Sequence, residues 1–131
     1  MTTGIGTVPD LSNFYVVNYG SKYGDDPEAA VNDFFKRFEA KYGKKADVSY
    51  GLRGYSAVQA WATAANKAGS LEGSKVAAVL DTFDKEPLVI GPTTYAKDLH
   101  IQTVRPMSII GVTSGKFAAV GRYTVEKFPE F

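Results

Sequence analysis

The sequence has no cysteine, one histidine and one tryptophan, and its basic residues outnumber its acidic ones by a single charge. Each shortage removes a class of function. Without cysteine there are no disulfides, thiolate metal sites or cysteine nucleophiles. With His100 alone, no histidine cluster can hold a metal. A formal charge of +1, with the basic residues dispersed, leaves no electrostatic footprint for nucleic acid or an anionic membrane. No apolar run is long enough to span a bilayer. Met1-Thr2-Thr3-Gly4 lacks the basic start and apolar core of a secretory signal. Taken as a whole natural product the chain is expected to stay in the cytoplasm, an expectation that lapses for a piece of a longer one.

Catalytic patterns are equally scarce. Ser70, Ser74, Ser108 and Ser114 stand outside any G-x-S-x-G context. Gly111-x-x-x-Gly115 is not followed by Lys-Ser or Lys-Thr, so it is no phosphate loop. Asp25-Asp26, and Asp81 with Asp84, read as caps and turns rather than paired catalytic carboxylates. His100 reads as a surface or hydrogen-bonding residue. Neither an enzyme nor a cofactor or metal is expected.

What is present is enough for one α/β domain. The chain has 131 residues, of which 44% are hydrophobic and 22% charged, ordinary values for a globular protein. Its organising stretch is Gly51–Ser70, a helix of small residues carrying Trp61 and stopped by Gly69. Tyr55, Val58, Ala62 and Ala65 recur at helical spacing. Ala57, Ala60, Ala64 and Ala68 form a second stripe, leaving Ser56, Gln59, Thr63, Asn66 and Lys67 on the remaining side.

Around it, Met1–Ser12 is turn-rich, and Asn13–Asn18 reads as a buried strand. Tyr19–Asp26 is a connector. Asp26-Pro27 opens a helix whose apolar face is Val31, Phe34, Phe35, Phe38 and Tyr42, ended by Gly43. Ala46–Tyr50 is a candidate strand. Ser70–Phe83 holds a third helix, with Ser70 or Ser74 as cap and Val76, Val79, Leu80 and Phe83 inward. Pro87–Ile90 and Thr93–Tyr95 read as extended pieces around a Gly91-Pro92 turn, and Ala96–Gln102 as polar connector. Met107–Val112 and Lys116–Thr124 form a hairpin through Thr113-Ser114-Gly115.

In order, Asp25-Asp26-Pro27-Glu28, Phe34–Gly43, Gly54–Val58, Ala68-Gly69-Ser70 and Val76–Leu80 resemble a known family. Gly91–Tyr95, His100 and Arg105-Pro106-Met107 continue the series. Together they resemble the C-terminal part of the type I periplasmic solute-binding proteins of ABC transporters, the branched-chain amino-acid-binding family. Ser56 departs from the pattern, standing where the family often has aspartate. The resemblance implies part of a two-lobed α/β fold: one unit over residues 1–131 with about three helices, short strands and a C-terminal hairpin. Residues 13–18 would be a second-lobe strand, 19–26 a hinge, 27–95 the helical part of the first lobe, 96–102 a hinge and 107–124 the second-lobe hairpin.

It further implies a periplasmic, non-enzymatic receptor, or a fragment of one. Such a receptor closes on an amino acid or similar small carboxylate and delivers it to an ABC permease, without nucleic acid. Tyr15, Tyr19, Tyr23, Arg53 and Tyr55 are the candidate ligand-binding residues, with Gly4–Thr7 as a further ligand loop. The alternative is a self-associating module without solute, since a part of a two-lobed protein exposes apolar surface that a second copy can cover.

Overall fold

The structure, a computed structural model, describes residues 8, 10–47, 49–98 and 100–125. Within them the order is β1 (Phe14–Asn18), α1 (Ala29–Tyr42), α2 (Tyr50–Ala68), α3 (Gly73–Leu80), β2 (Glu86–Leu88), β3 (Gly91–Ala96), β4 (Ile101–Val104), β5 (Pro106–Thr113) and β6 (Lys116–Thr124). The strands make two antiparallel sheets, ordered β1-β5-β6 and β2-β3-β4. The fold is α/β with three helices and a C-terminal hairpin, as expected.

Helix α1 forms because its apolar residues stack on one face. Val31, Phe34 and Phe35 are buried, and the ring series continues through Phe38 to Tyr42 at centroid spacings of 6.4 and 4.7 Å. Gly43 ends it at φ 68°, its amide returning to the Glu39 carbonyl. The cap is Glu28, whose carboxylate accepts from the Ala30 amide, and not Asp26. Asp26 is committed elsewhere.

Helix α2 buries a different face from the one its apolar periodicity suggests. Leu52, Ser56, Ala60 and Ala64 form the inner stripe at i, i+4 spacing, with Ala65 beside it. Ser56 is therefore a core residue, whereas Val58 is 66% exposed and Trp61 48% exposed. Val76 of α3 and Phe83 just beyond it close the same core. Glu72 rather than Ser70 or Ser74 occupies the α3 cap position. Upstream, residues 46, 47 and 49 carry no strand and Tyr50 is already helical, so the strand expected at Ala46–Tyr50 is absent from its described residues; Val48 lies outside them.

The β2–β3 hairpin turns at Val89-Ile90, two residues ahead of the expected Gly91-Pro92. Both tip residues are buried, and the Val89 amide donates to Gln59 Oε1 of α2 at 2.8 Å. Gly91 has φ +92°, and a Cβ there would sit 2.7 Å from Pro106 Cγ. Only glycine permits that approach between the hairpin and β5. Residues 96–102, expected as connector, contain the end of β3, a turn and the start of β4.

The β5–β6 hairpin is as expected. Thr113 pairs with Lys116 across Ser114 (φ 48°) and Gly115 (φ 71°), the two positive angles that match a two-residue turn to strand twist. Strand β1 pairs with β5 alone among the described residues, so it is a sheet edge and not the buried strand its composition suggested. Tyr15 and Val17 are 60% and 63% exposed.

Candidate functional site

Strand register decides which side chains share a face. Phe14, Val16 and Asn18 lie opposite Val112, Ile110 and Ser108, while Tyr15 and Val17 lie opposite Gly111 and Ile109. The first face floors a cleft of about 470 Å³. Phe117 of β6 extends the floor, and Tyr23 stacks on it with ring centroids 5.5 Å apart. Tyr19 and Tyr50 bound the other side. Ser49, Asn18 and Lys22 supply polar groups at the rim. An apolar pocket of this size with a few convergent polar groups is the usual form of a small-molecule site.

The loop between β1 and α1 is held against the second strand pair by a buried network. Asp26 accepts from the Ser21 amide and from Ser108 Oγ, both at 2.7 Å, and from the Glu28 amide at 2.9 Å. Arg122 Nη1 reaches Asp26 Oδ1 at 3.2 Å, with side-chain exposures of 8% and 0% for the two residues. The same guanidinium donates to Ser108 Oγ, to the Tyr19 carbonyl and to the Ile90 carbonyl. One side chain thus ties β6 to β5, to the loop and to the buried tip of the β2–β3 hairpin. Asp25 adds a second tie, accepting from Ser21 Oγ and from the Ala119 amide. The Asp25-Asp26 pair is consequently a structural anchor, more than a cap or turn.

Among the residues expected to bind ligand, Tyr19 and Tyr23 come together in the cleft. Burial pushes the Tyr23 phenol above its ordinary pKa, and the nearby Asp25 charge adds to the effect. Tyr15 reaches the cleft only from the strand edge, because its ring lies on the opposite face over Gly111. Arg53, on the first turn of α2, sits over the Tyr19 ring at 5.3 Å. Tyr55 is elsewhere: it packs on Phe34 and under Arg37, facing a more open depression of about 770 Å³ between α1, α2 and the β2–β3 hairpin. That depression is rimmed by Glu28, Asp33 and Lys36, the solvated side of α1, and its lining is less apolar than that of the cleft.

Sequence reasoning passed over Arg105, Arg122 and Phe117. Arg105 lies 4.7 Å from the Tyr19 ring centroid, opposite no carboxylate among the described residues. The Arg105-Pro106-Met107 run was the one available signal for it. Gly4–Thr7 lies outside the described residues. His100 Nδ1 is 3.0 Å from Asp81 Oδ1 in an exposed pair away from the cleft. Among the described residues no group of three or more ligating side chains is placed to hold a metal, and no helix is long and apolar enough to cross a membrane.

The model of a family described as periplasmic binding protein matches residues 3–116. Among solved structures, the crystal structure of a leucine-binding protein from Thermotoga maritima superimposes with a TM-score of 0.63 at 18% sequence identity. The match covers 88% of this chain and 31% of that one, so the chain spans less than a third of the length of that protein. No curated protein matches the sequence.

Proposed function

The chain belongs to the periplasmic binding protein family, and from that premise we propose that it serves as part of a solute receptor of an ABC transporter. Its α/β fold corresponds to a portion of the two-lobed type I binding-protein fold. The two sheets would belong to different lobes, with residues 19–26 and 96–102 as the hinges between them. The receptor would act in the periplasm, close on an amino-acid-like solute, and pass it to a permease. Binding of this kind needs shape, apolar contact and hidden polar groups, and no covalent step.

The observation that carries this reading is the cleft bounded by Phe14, Val16, Phe117, Tyr19 and Tyr23. Its floor is a sheet face and one wall is the loop that would be the hinge. Closure there would bring an apolar solute body between rings. A thermal melt of the 131-residue chain against a panel of amino acids and small carboxylates tests it. A ligand that binds only the folded chain raises the midpoint, and Tyr23→Ala should abolish the rise. A cooperative melt that no solute moves defeats the reading.

A second reading, self-association without solute, draws on the open edge of β1 and the exposed face of α2 around Val58 and Trp61. An uncharged, five-residue edge is open to pairing with a second copy. Sedimentation separates the two: a monomer that binds solute supports the receptor, an intertwined dimer that binds none supports the module.

A further inference from the structure

We infer that β1 is a dimerisation edge: two copies of the chain pair antiparallel through it about a two-fold axis at Val16, and each copy extends the apolar floor of the other's cleft. The inference rests on the self-association reading above and names its contact.

The edge is open and unguarded. Among the described residues β1 pairs with β5 alone, so every second residue along it turns its amide and carbonyl outward with no strand to meet them. Phe14–Asn18 contains no charge, proline or bulge, the devices that keep an edge from pairing. The residues just ahead of the strand do not shield it, because they are tied to the β5–β6 turn. The Leu11 carbonyl accepts from the Gly115 amide at 3.1 Å, and Ser12 Oγ from the Ser114 amide at 3.0 Å. The Tyr15 ring leans over Gly111 of β5 toward Val120, which leaves the open side of the strand clear.

The occupant follows from the strand's own pattern. Pairing about a two-fold axis needs a strand that complements itself. Phe14, Val16 and Asn18 face the cleft and Tyr15 and Val17 face away, so a register slipped by one residue sets the two faces against each other. Of the registers that remain, only the one centred on Val16 uses all five residues. It places Tyr15 against the partner's Val17 on the outer face, and by symmetry does so twice, an aromatic and β-branched pair that favours the ladder. Tyr15 and Val17 are both exposed in the single copy, so the contact covers apolar surface otherwise left in water. On the cleft side Val16 meets the partner's Val16, and Asn18 meets the partner's Phe14, which carries the apolar floor across the axis. A five-residue ladder falls short of the roughly 1,200 Å² of a stable interface, so the dimer is reversible and depends on concentration.

Sedimentation velocity over a wide concentration range tests the contact on the 131-residue chain and two double variants. The chain should pass from monomer to dimer as concentration rises. Tyr15→Lys/Val17→Lys sets lysine opposite lysine in both outer pairs and should weaken the dimer about tenfold or more. Tyr15→Glu/Val17→Lys sets opposite charges together in this register and should restore most of that loss. Far-UV dichroism checks that each variant folds. The chain has no cysteine, so Val16→Cys gives an independent readout: a short bismaleimide should link two copies through it, and should not link them through Trp61→Cys on α2.

A dimer that the lysine pair leaves intact, or that links through Trp61→Cys and not Val16→Cys, overturns the edge contact and spares the self-association reading. Equal weakening in both double variants overturns the Val16 register. Where a double variant fails to fold, the cross-link decides: a link through Val16→Cys supports the edge and its absence overturns it. A monomer at every concentration overturns both the contact and the self-association reading.

Discussion

Replacing Asp26 with asparagine is the sharpest perturbation the structure offers. The side chain keeps its shape but loses its charge and one acceptor. Asp26 Oδ2 serves the Ser21 amide and Ser108 Oγ, and Oδ1 serves the Glu28 amide, while Arg122 spans both oxygens at 3.2 and 3.4 Å. An amide can accept at only one of those positions, so a buried donor loses its partner whichever way it turns. Arg122 is left as an uncompensated cation, 8% exposed, whose Nε already has no partner among the described residues. Breaking a buried pair from one side costs about 3–5 kcal/mol, a large part of the roughly 5–15 kcal/mol that keeps a domain folded. With a urea slope of about 2 kcal/mol/M, the midpoint should fall by about 2 M. The double variant Asp26→Leu/Arg122→Met removes both charges and should cost much less than the two single changes added together. A loss under about 1 kcal/mol for Asp26→Asn, or strict additivity in the cycle, refutes the argument that this pair holds the sheets together.

Three further outcomes are expected. Gly20→Ala places a Cβ 2.6 Å from Val31 Cγ1 and 2.8 Å from Leu52 Cδ2, both fully buried, so overpacking should cost about 1–3 kcal/mol in chemical denaturation, with Val31→Ala partly restoring it. Because burial raises the Tyr23 pKa, the folded state holds that proton more tightly than the unfolded chain does. Its contribution is complete below about pH 10 and is lost as pH rises through the folded pKa, so Tyr23→Phe should flatten the alkaline fall in stability measured by urea titration. Trp61, half exposed, should emit at long wavelength and be readily quenched by acrylamide at low protein concentration, whereas a blue-shifted, protected emission would show that its face of α2 is covered.

Much of the fold was legible where one signal dominates. Helix α1 has three phenylalanines on a single stripe and a glycine stop, and the β5–β6 hairpin has residues suited to positive φ at its turn. Helix α2 misled because alanines occur at nearly every angle around it. Its inner face was selected by Leu52 packing beside Val31 and Gly20, which periodicity cannot foresee. The β2–β3 turn fell on Val89-Ile90 rather than on Gly91-Pro92 because the tip is buried, with its amide held by Gln59 and its carbonyl by Arg122. Tyr19 and Tyr23 could be proposed from their place in a connector. Arg122 could not, since nothing local ties it to an aspartate so far away along the chain.

The pairing of β1 with β5 also sets the order in which the molecule can assemble. Phe14 meets Val112, so the strand joins the sheet only after almost the whole chain has been looped back. The length-dependent part of that closure is about 4 kcal/mol, whereas the β5–β6 hairpin closes over two residues and can form early. A topology this non-local folds slowly, and β1 should dock last. Until it does, Ile110 and Val112 stand uncovered on that flank, and the chain is at its most vulnerable to misassembly with its own copies during synthesis.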